Sequence, residues 1–167
     1  MKKAVFVTAP ELFRDEEYFQ PKEILEKSGV EVTTASLKKG ELKGSQGATT
    51  TADITIDEIK LSDFDIITFI GGGGASVYFE NKKALDLANS FYEAGKTVSS
   101  ICIAGVILAN SGILKDKKAT AFIDGKDALI KGGAKWTGKD VEVDGKIITA
   151  NGPAAAKAFG KAIVEAV

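Results

Sequence analysis

Apolar and polar positions along the chain alternate between two rhythms. Continuous apolar runs, KAVFVTA over 3–9, FDIITFI over 64–70 and TVSSI over 97–101, read as strands buried on both faces. Between them lie stretches with helical spacing. Asp15 to Ser28 carries Tyr18, Phe19, Ile24 and Leu25 and stops at Gly29. Asn81 to Ala94 runs through Leu85, Leu87, Ala88 and Phe91 and closes at Gly95. Pro21 falls inside the first of these and predicts a kink or a helix that starts late. Val30 to Ala35 reads as a second strand, and the Gly-, Ser- and Thr-rich span from Gly40 to Ile56 as extended edge structure. After the third apolar run, Ile103 to Asn110 is predicted helical with Gly112 as its cap. The last third predicts a strand over Ala119 to Ile123, a helix over Gly125 to Lys131, and a hairpin over 141–150 turning at Asp144-Gly145. Gly152-Pro153 opens a final helix. Strand and helix alternate with no repeat and no linker, which predicts one α/β domain with a mostly parallel sheet covered by helices.

Composition narrows the chemistry more than the fold. With 22 basic and 23 acidic residues the net charge is −1, so no field favours nucleic acid or an anionic membrane surface. No window is long and apolar enough to span a bilayer, and the N-terminal run is too brief for a signal segment. A single cysteine cannot form an intramolecular disulfide, which suits a reducing cytoplasm. The chain contains no histidine. Imidazole general bases, Ser-His-Asp or Cys-His arrangements and ordinary zinc sites are thereby excluded. Neither a metal nor a cofactor is expected, and the available groups are carboxylates, lysines, tyrosines, backbone amides and one thiol.

Three features could carry that chemistry. Gly71 to Gly74 follow an apolar strand directly, so the backbone there needs unusual angles or close approach to something. Either a tight strand-to-helix turn or a set of N–H groups facing an oxyanion accounts for the run. It matches neither a P-loop nor a dinucleotide fingerprint. Cys102 ends a strand and precedes small residues that open a helix. That turn would project a thiol at the carboxyl edge of the sheet, and the helix N-terminus would lower its pKa. An inert buried cysteine is the alternative. The acidic cluster Asp15-Glu16-Glu17 reads equally as a solvated first helical turn or as a source of one carboxylate over the sheet edge.

Four segments, VFVTAPELFRDEEYFQP, DIITFIGGGGAS, SSICIAGVILANSGIL and IITANGPAAAKAFG, together resemble the ThiJ/PfpI superfamily over essentially the whole length. That group includes the PfpI-type intracellular proteases and the parkinsonism-associated deglycase. The resemblance implies a flavodoxin-like three-layer sandwich, related to glutamine amidotransferases, with a nucleophile-elbow cysteine. It implies that Cys102 is the nucleophile and that Glu17, four residues before Pro21, is its acidic partner. It also implies that the backbone N–H groups of Gly72 and Ile103 form an oxyanion pocket, and that the chain forms a homodimer or larger homo-oligomer. The sequence departs from the pattern in places. Ile103 stands where the protease branch has histidine, Phe122 lies near the deglycase branch's histidine, and Gly105 replaces a common proline.

The resulting expectation is a cysteine-dependent enzyme acting on small reactive carbonyls, of the glyoxalase or deglycase kind, through the Cys102 thiolate and Glu17. A redox-responsive stress or chaperone-like protein with an oxidisable Cys102 is a second expectation. A PfpI-type peptidase is disfavoured by the lack of any imidazole, and a scaffold without activity is the fourth reading. Ile103, Tyr18 and Phe122 are expected to crowd the pocket.

Overall fold

The apolar runs become the middle of a seven-stranded sheet in the computed structural model, which describes residues 1–167. The strands are β1 (Lys3–Val7), β2 (Glu11–Phe13), β3 (Glu31–Ser36), β4 (Gly40–Gly44), β5 (Thr49–Ala52) and β6 (Ile54–Thr55). They continue with β7 (Ile66–Phe69), β8 (Thr97–Ile101), β9 (Lys118–Ala119), β10 (Lys135–Trp136), β11 (Val141–Asp144) and β12 (Ile147–Ala150). The helices are α1 (Asp15–Lys27), α2 (Lys82–Glu93), α3 (Gly105–Ser111), α4 (Lys126–Lys131) and α5 (Ala156–Glu165). The main sheet runs β11-β12-β8-β7-β1-β3-β6, and every pairing in it is parallel except β11 with β12. Strands β2, β4 and β5 form a separate three-stranded sheet.

The expected layered α/β sandwich is therefore present, and period-two alternation explains its two cores. Along β1, Val5 and Val7 join an apolar layer with Leu87 and Phe91 of α2 and Ile107 and Leu108 of α3. Ala4 and Phe6 face the other way, toward Leu25 of α1 and Phe159 and Ile163 of α5. Helix α1 runs through Pro21 rather than starting late, and Pro21 is buried. Its ring lies where Gly160 of α5 approaches, a Cβ on Gly160 standing 3.0 Å from the Pro21 Cα. No helix is long and apolar enough to cross a membrane.

Several expected elements shift. The predicted strand over 119–123 shrinks to β9, followed by an irregular stretch and a 3-10 turn at Ile123–Gly125. The ladder stops because the Thr120 N–H donates to the Thr149 hydroxyl at 3.0 Å rather than to a strand carbonyl. The helix after Cys102 begins at Gly105, behind a 3-10 turn over Cys102–Ala104. The last helix likewise follows a 3-10 turn at Pro153–Ala155. Strand β2 has no counterpart in the apolar pattern.

Register fixes where a site can form. Val7 pairs with Phe69, and Phe69 with Ser100, so β1, β7 and β8 end side by side at their carboxyl edge. Gly71-Gly72 leaves β7 there and Cys102 leaves β8 there. The chain beyond β1 returns to the same edge through β2 at the start of α1.

Candidate active site

Cys102 adopts φ 61, a left-handed conformation that costs a non-glycine residue about 1–2 kcal/mol. The residue before it is fully extended at the end of β8, and the chain then turns into the 3-10 segment. This geometry holds the side chain at the sheet edge, with 9% of the residue exposed. The backbone N–H groups of Ile103 and Gly72 lie close enough to the sulfur to favour its charged form. Gly72 has φ 101, and a Cβ there would collide with the backbone of Leu12, Phe13 and Arg14. A Cβ on Gly71 would overlap the Glu17 carboxylate, the Ile101 carbonyl and the Cys102 Cβ. Gly74 is pressed against the Glu11 carbonyl, whereas nothing lies within 4 Å of a Cβ on Gly73. Close backbone approach at Gly71, Gly72 and Gly74 bears out the tight-turn explanation of the glycine run.

The acidic cluster separates into three different roles. Asp15 accepts hydrogen bonds from the backbone N–H groups of Gln46 (3.1 Å) and Ala48 (3.0 Å), which ties α1 to the turn between β4 and β5. Glu16 pairs with Arg14, Nε to Oε2 at 2.9 Å. Glu17 is fully buried, and neither carboxylate oxygen has a partner with hydrogen-bonding geometry. The Cys102 thiol is close enough to affect its protonation without being aligned into a formed bond.

Burial pushes the Glu17 carboxyl up to about 7; the neighbouring thiol and the Arg14 guanidinium pull it back, and Glu16 adds to the rise. The Cys102 thiol is held up, to about 12, first by burial and then by the Glu17 charge, against the N–H groups of Ile103 and Gly72. The expected lowering of the thiol pKa by a helix N-terminus is thus overturned, first by burial and then by the Glu17 charge. Helix α3 starts beyond the 3-10 turn, and the adjacent carboxylate outweighs two amide dipoles. When Glu17 carries a proton the repulsion disappears, and the acid becomes a donor toward the sulfur. Between these two values the pair holds one proton, carried by the sulfur while the charge sits on Glu17.

These groups line a cavity of about 310 Å³ together with Arg14, Ser45, Gly73, Ile103, Phe122, Asp124 and Pro153. Cys102, Glu17, Gly72 and Ile103 all meet there. Ile103 and Phe122 crowd it as expected, but Tyr18 does not. Its hydroxyl is buried against Thr34 (2.6 Å) and Thr50 (3.0 Å), away from the cavity. Arg14, Ser45, Asp124 and Pro153 were not anticipated. Arg14 had a signal, since it lies three residues before Glu17 on the same face of the helix start. Ser45, Asp124 and Pro153 come from loops far apart in sequence and had none. No group of three or more Cys, Asp and Glu side chains could hold a metal ion.

Comparison with known proteins bears on the family and the fold. The profile of the DJ-1/PfpI family matches residues 2–166. An uncharacterized protein of Methanocaldococcus jannaschii is 39% identical over 99% of this chain and 82% of its own length. Deglycase PfpI of Pyrococcus furiosus is 34% identical over 90% of both chains. The crystal structure of a ThiJ/PfpI domain protein from Brachyspira murdochii superposes with a TM-score of 0.96 at 32% identity, covering 98% of this chain and 95% of that one.

Proposed function

The chain belongs to the DJ-1/PfpI family, and from that premise we propose that it is a cysteine-dependent enzyme acting on small reactive carbonyls. The observation that carries this reading is the buried, unpartnered Glu17 carboxyl beside the Cys102 thiol at the floor of an open cavity. A relative named as a deglycase supports it.

In the proposed reaction ionised Glu17 takes the thiol proton from Cys102 as the substrate approaches, leaving the charge on sulfur. Cys102 Sγ attacks the aldehyde carbon of an α-oxoaldehyde, forming a C–S bond as the carbonyl π pair moves to oxygen. The N–H groups of Gly72 and Ile103 hold that oxyanion until Glu17 protonates it to the hemithioacetal. Glu17, now ionised, removes the remaining hydrogen on that carbon as a proton, leaving an enediolate. It returns the proton to the neighbouring carbon while the hydroxyl proton passes to the adjacent oxygen, giving an α-hydroxy thioester. Water then cleaves the thioester to a hydroxy acid and restores the thiol. One carbon is oxidised and its neighbour reduced, so no external oxidant or reductant is needed. A single carboxyl that titrates near neutrality serves as both acid and base, which is why the absence of histidine does not block this chemistry.

Lactate formation from methylglyoxal tests the proposal. Cys102→Ala is expected to abolish it, and a rate unchanged by that substitution would falsify the reading, leaving a family scaffold without this activity.

The same pair supports a second reading as a peroxide-responsive thiol. Two equivalents of peroxide would take the thiolate through sulfenate to sulfinate with release of water, and protonated Glu17 would donate to a sulfinate oxygen. Intact mass after mild peroxide tests it: unmodified Cys102 refutes it. A peptidase mechanism finds no imidazole anywhere in the chain.

A further inference from the structure

We propose that Arg14 makes this site selective for reactive carbonyls that carry an anionic group, a carboxylate or phosphate, a short spacer away from the aldehyde; this rests on the carbonyl reading above. Arg14 lines the cavity beside Cys102 and Glu17. Its Nε is taken by Glu16 at 2.9 Å, and its two terminal nitrogens make no hydrogen bond within the protein. The planar fork that matches a carboxylate or phosphate is therefore free at the mouth of a cavity holding a nucleophile. The Arg14–Glu16 contact fixes the guanidinium, so less rotamer freedom remains to be lost on binding.

The sign of the local charge supports the same choice. The two fixed charges that act on Glu17 from outside the reacting pair are Arg14 and Glu16, and Arg14 is the stronger influence. Asp124 lines the same cavity as a second charged group. The Ser45 hydroxyl, on the turn that Asp15 anchors, offers a further polar contact in the same cavity. A neutral α-oxoaldehyde such as methylglyoxal leaves the guanidinium without a partner. An α-oxoaldehyde with a terminal carboxylate meets the thiol at one end and Arg14 at the other, and the same sequence of steps converts it to a hydroxy diacid.

The test compares 4,5-dioxovalerate, which has this layout, with its neutral methyl ester and with methylglyoxal, in wild type, Arg14→Gln and Arg14→Lys. The expected kcat/KM for the acid exceeds that for the ester by roughly tenfold or more, the range of one charge-assisted hydrogen bond, mainly through KM. Arg14→Gln should bring the ratio close to one and Arg14→Lys should restore part of it. Using the ratio cancels any general effect of Arg14 on Glu17. Cys102-dependent turnover of both compounds with a ratio that Arg14→Gln does not change overturns the inference and leaves the carbonyl reading standing. If neither compound is turned over, the carbonyl reading falls, and alkylation of Cys102 decides on Arg14 alone. An iodoacetate-to-iodoacetamide rate ratio that drops in Arg14→Gln supports an anion-guiding guanidinium, and an unchanged ratio refutes it.

Discussion

Replacing Glu17 by glutamine should make the protein more stable at neutral pH while leaving it nearly unchanged in acid. The wild-type carboxyl moves from an ordinary value of 4.5 in the unfolded chain to about 7 in the folded one, because it is buried without a partner. Between those two values the folded state keeps a proton that the unfolded state has released, so stability falls as pH rises through this window. At about 1.4 kcal/mol per pH unit the group contributes about 3 kcal/mol that is fully present below 4.5 and gone above 7. A glutamine side chain fills nearly the same volume and stays neutral throughout, so the variant escapes this loss. The difference in unfolding free energy between Glu17→Gln and wild type should therefore grow by about 3 kcal/mol between pH 4.5 and about pH 8. Urea denaturation at a series of pH values measures it, and the expected midpoint displacement is on the order of 1 M or more. Other carboxylates titrate equally in both proteins and cancel in the comparison. A difference that stays flat across the series refutes the argument, since it means that Glu17 is ionised in the folded protein at no cost.

Three further outcomes follow from the geometry. Cys102→Gly should be more stable than Cys102→Ala by about 1–2 kcal/mol in thermal or urea unfolding, because only glycine accepts φ 61 without strain. Gly71→Ala should lower the melting temperature and slow Cys102 alkylation, since its methyl has no room against Glu17 and Cys102, whereas Gly73→Ala should leave both unchanged. Asp15→Ala should cost about 2–3 kcal/mol by removing the acceptor of two backbone N–H groups, and should speed hydrogen exchange at Gln46 and Ala48.

The central strands were legible because burial on both faces leaves an uninterrupted apolar run, and β8 matches its expected limits of 97–101. The turn at Cys102 was legible for the same reason: the run ends, and small residues follow. Glu17 was harder to separate from Asp15 and Glu16 by composition. Its spacing held the answer, since Glu17, Pro21 and Leu25 recur every four residues and all three are buried on one face of α1. Strand β2 was not legible, because Glu-Leu-Phe has no periodic signal and owes its conformation to pairing with β4, on the far side of α1 and β3 in the chain. The truncation of the strand after Ala119 depended on a hydroxyl from Thr149, which local sequence cannot reveal. The state of the thiol was misjudged for a related reason. A helix dipole can be guessed from a helix, but the burial that opposes it comes from segments brought together only by the fold.

The two ends of the main sheet bear on how the molecule behaves at high concentration. At one end β6 is two residues long, and at the other β11 alternates valine with Glu142 and Asp144. An incoming strand would find too few free amides and carbonyls at the first, and at the second would meet β9, whose Lys118 N–H already donates to Asp144. Continuous growth of the sheet from molecule to molecule is therefore disfavoured at both ends. The apolar strands that build the reactive edge lie in the interior of the sheet, so in the folded molecule they are kept out of fibrillar pairing.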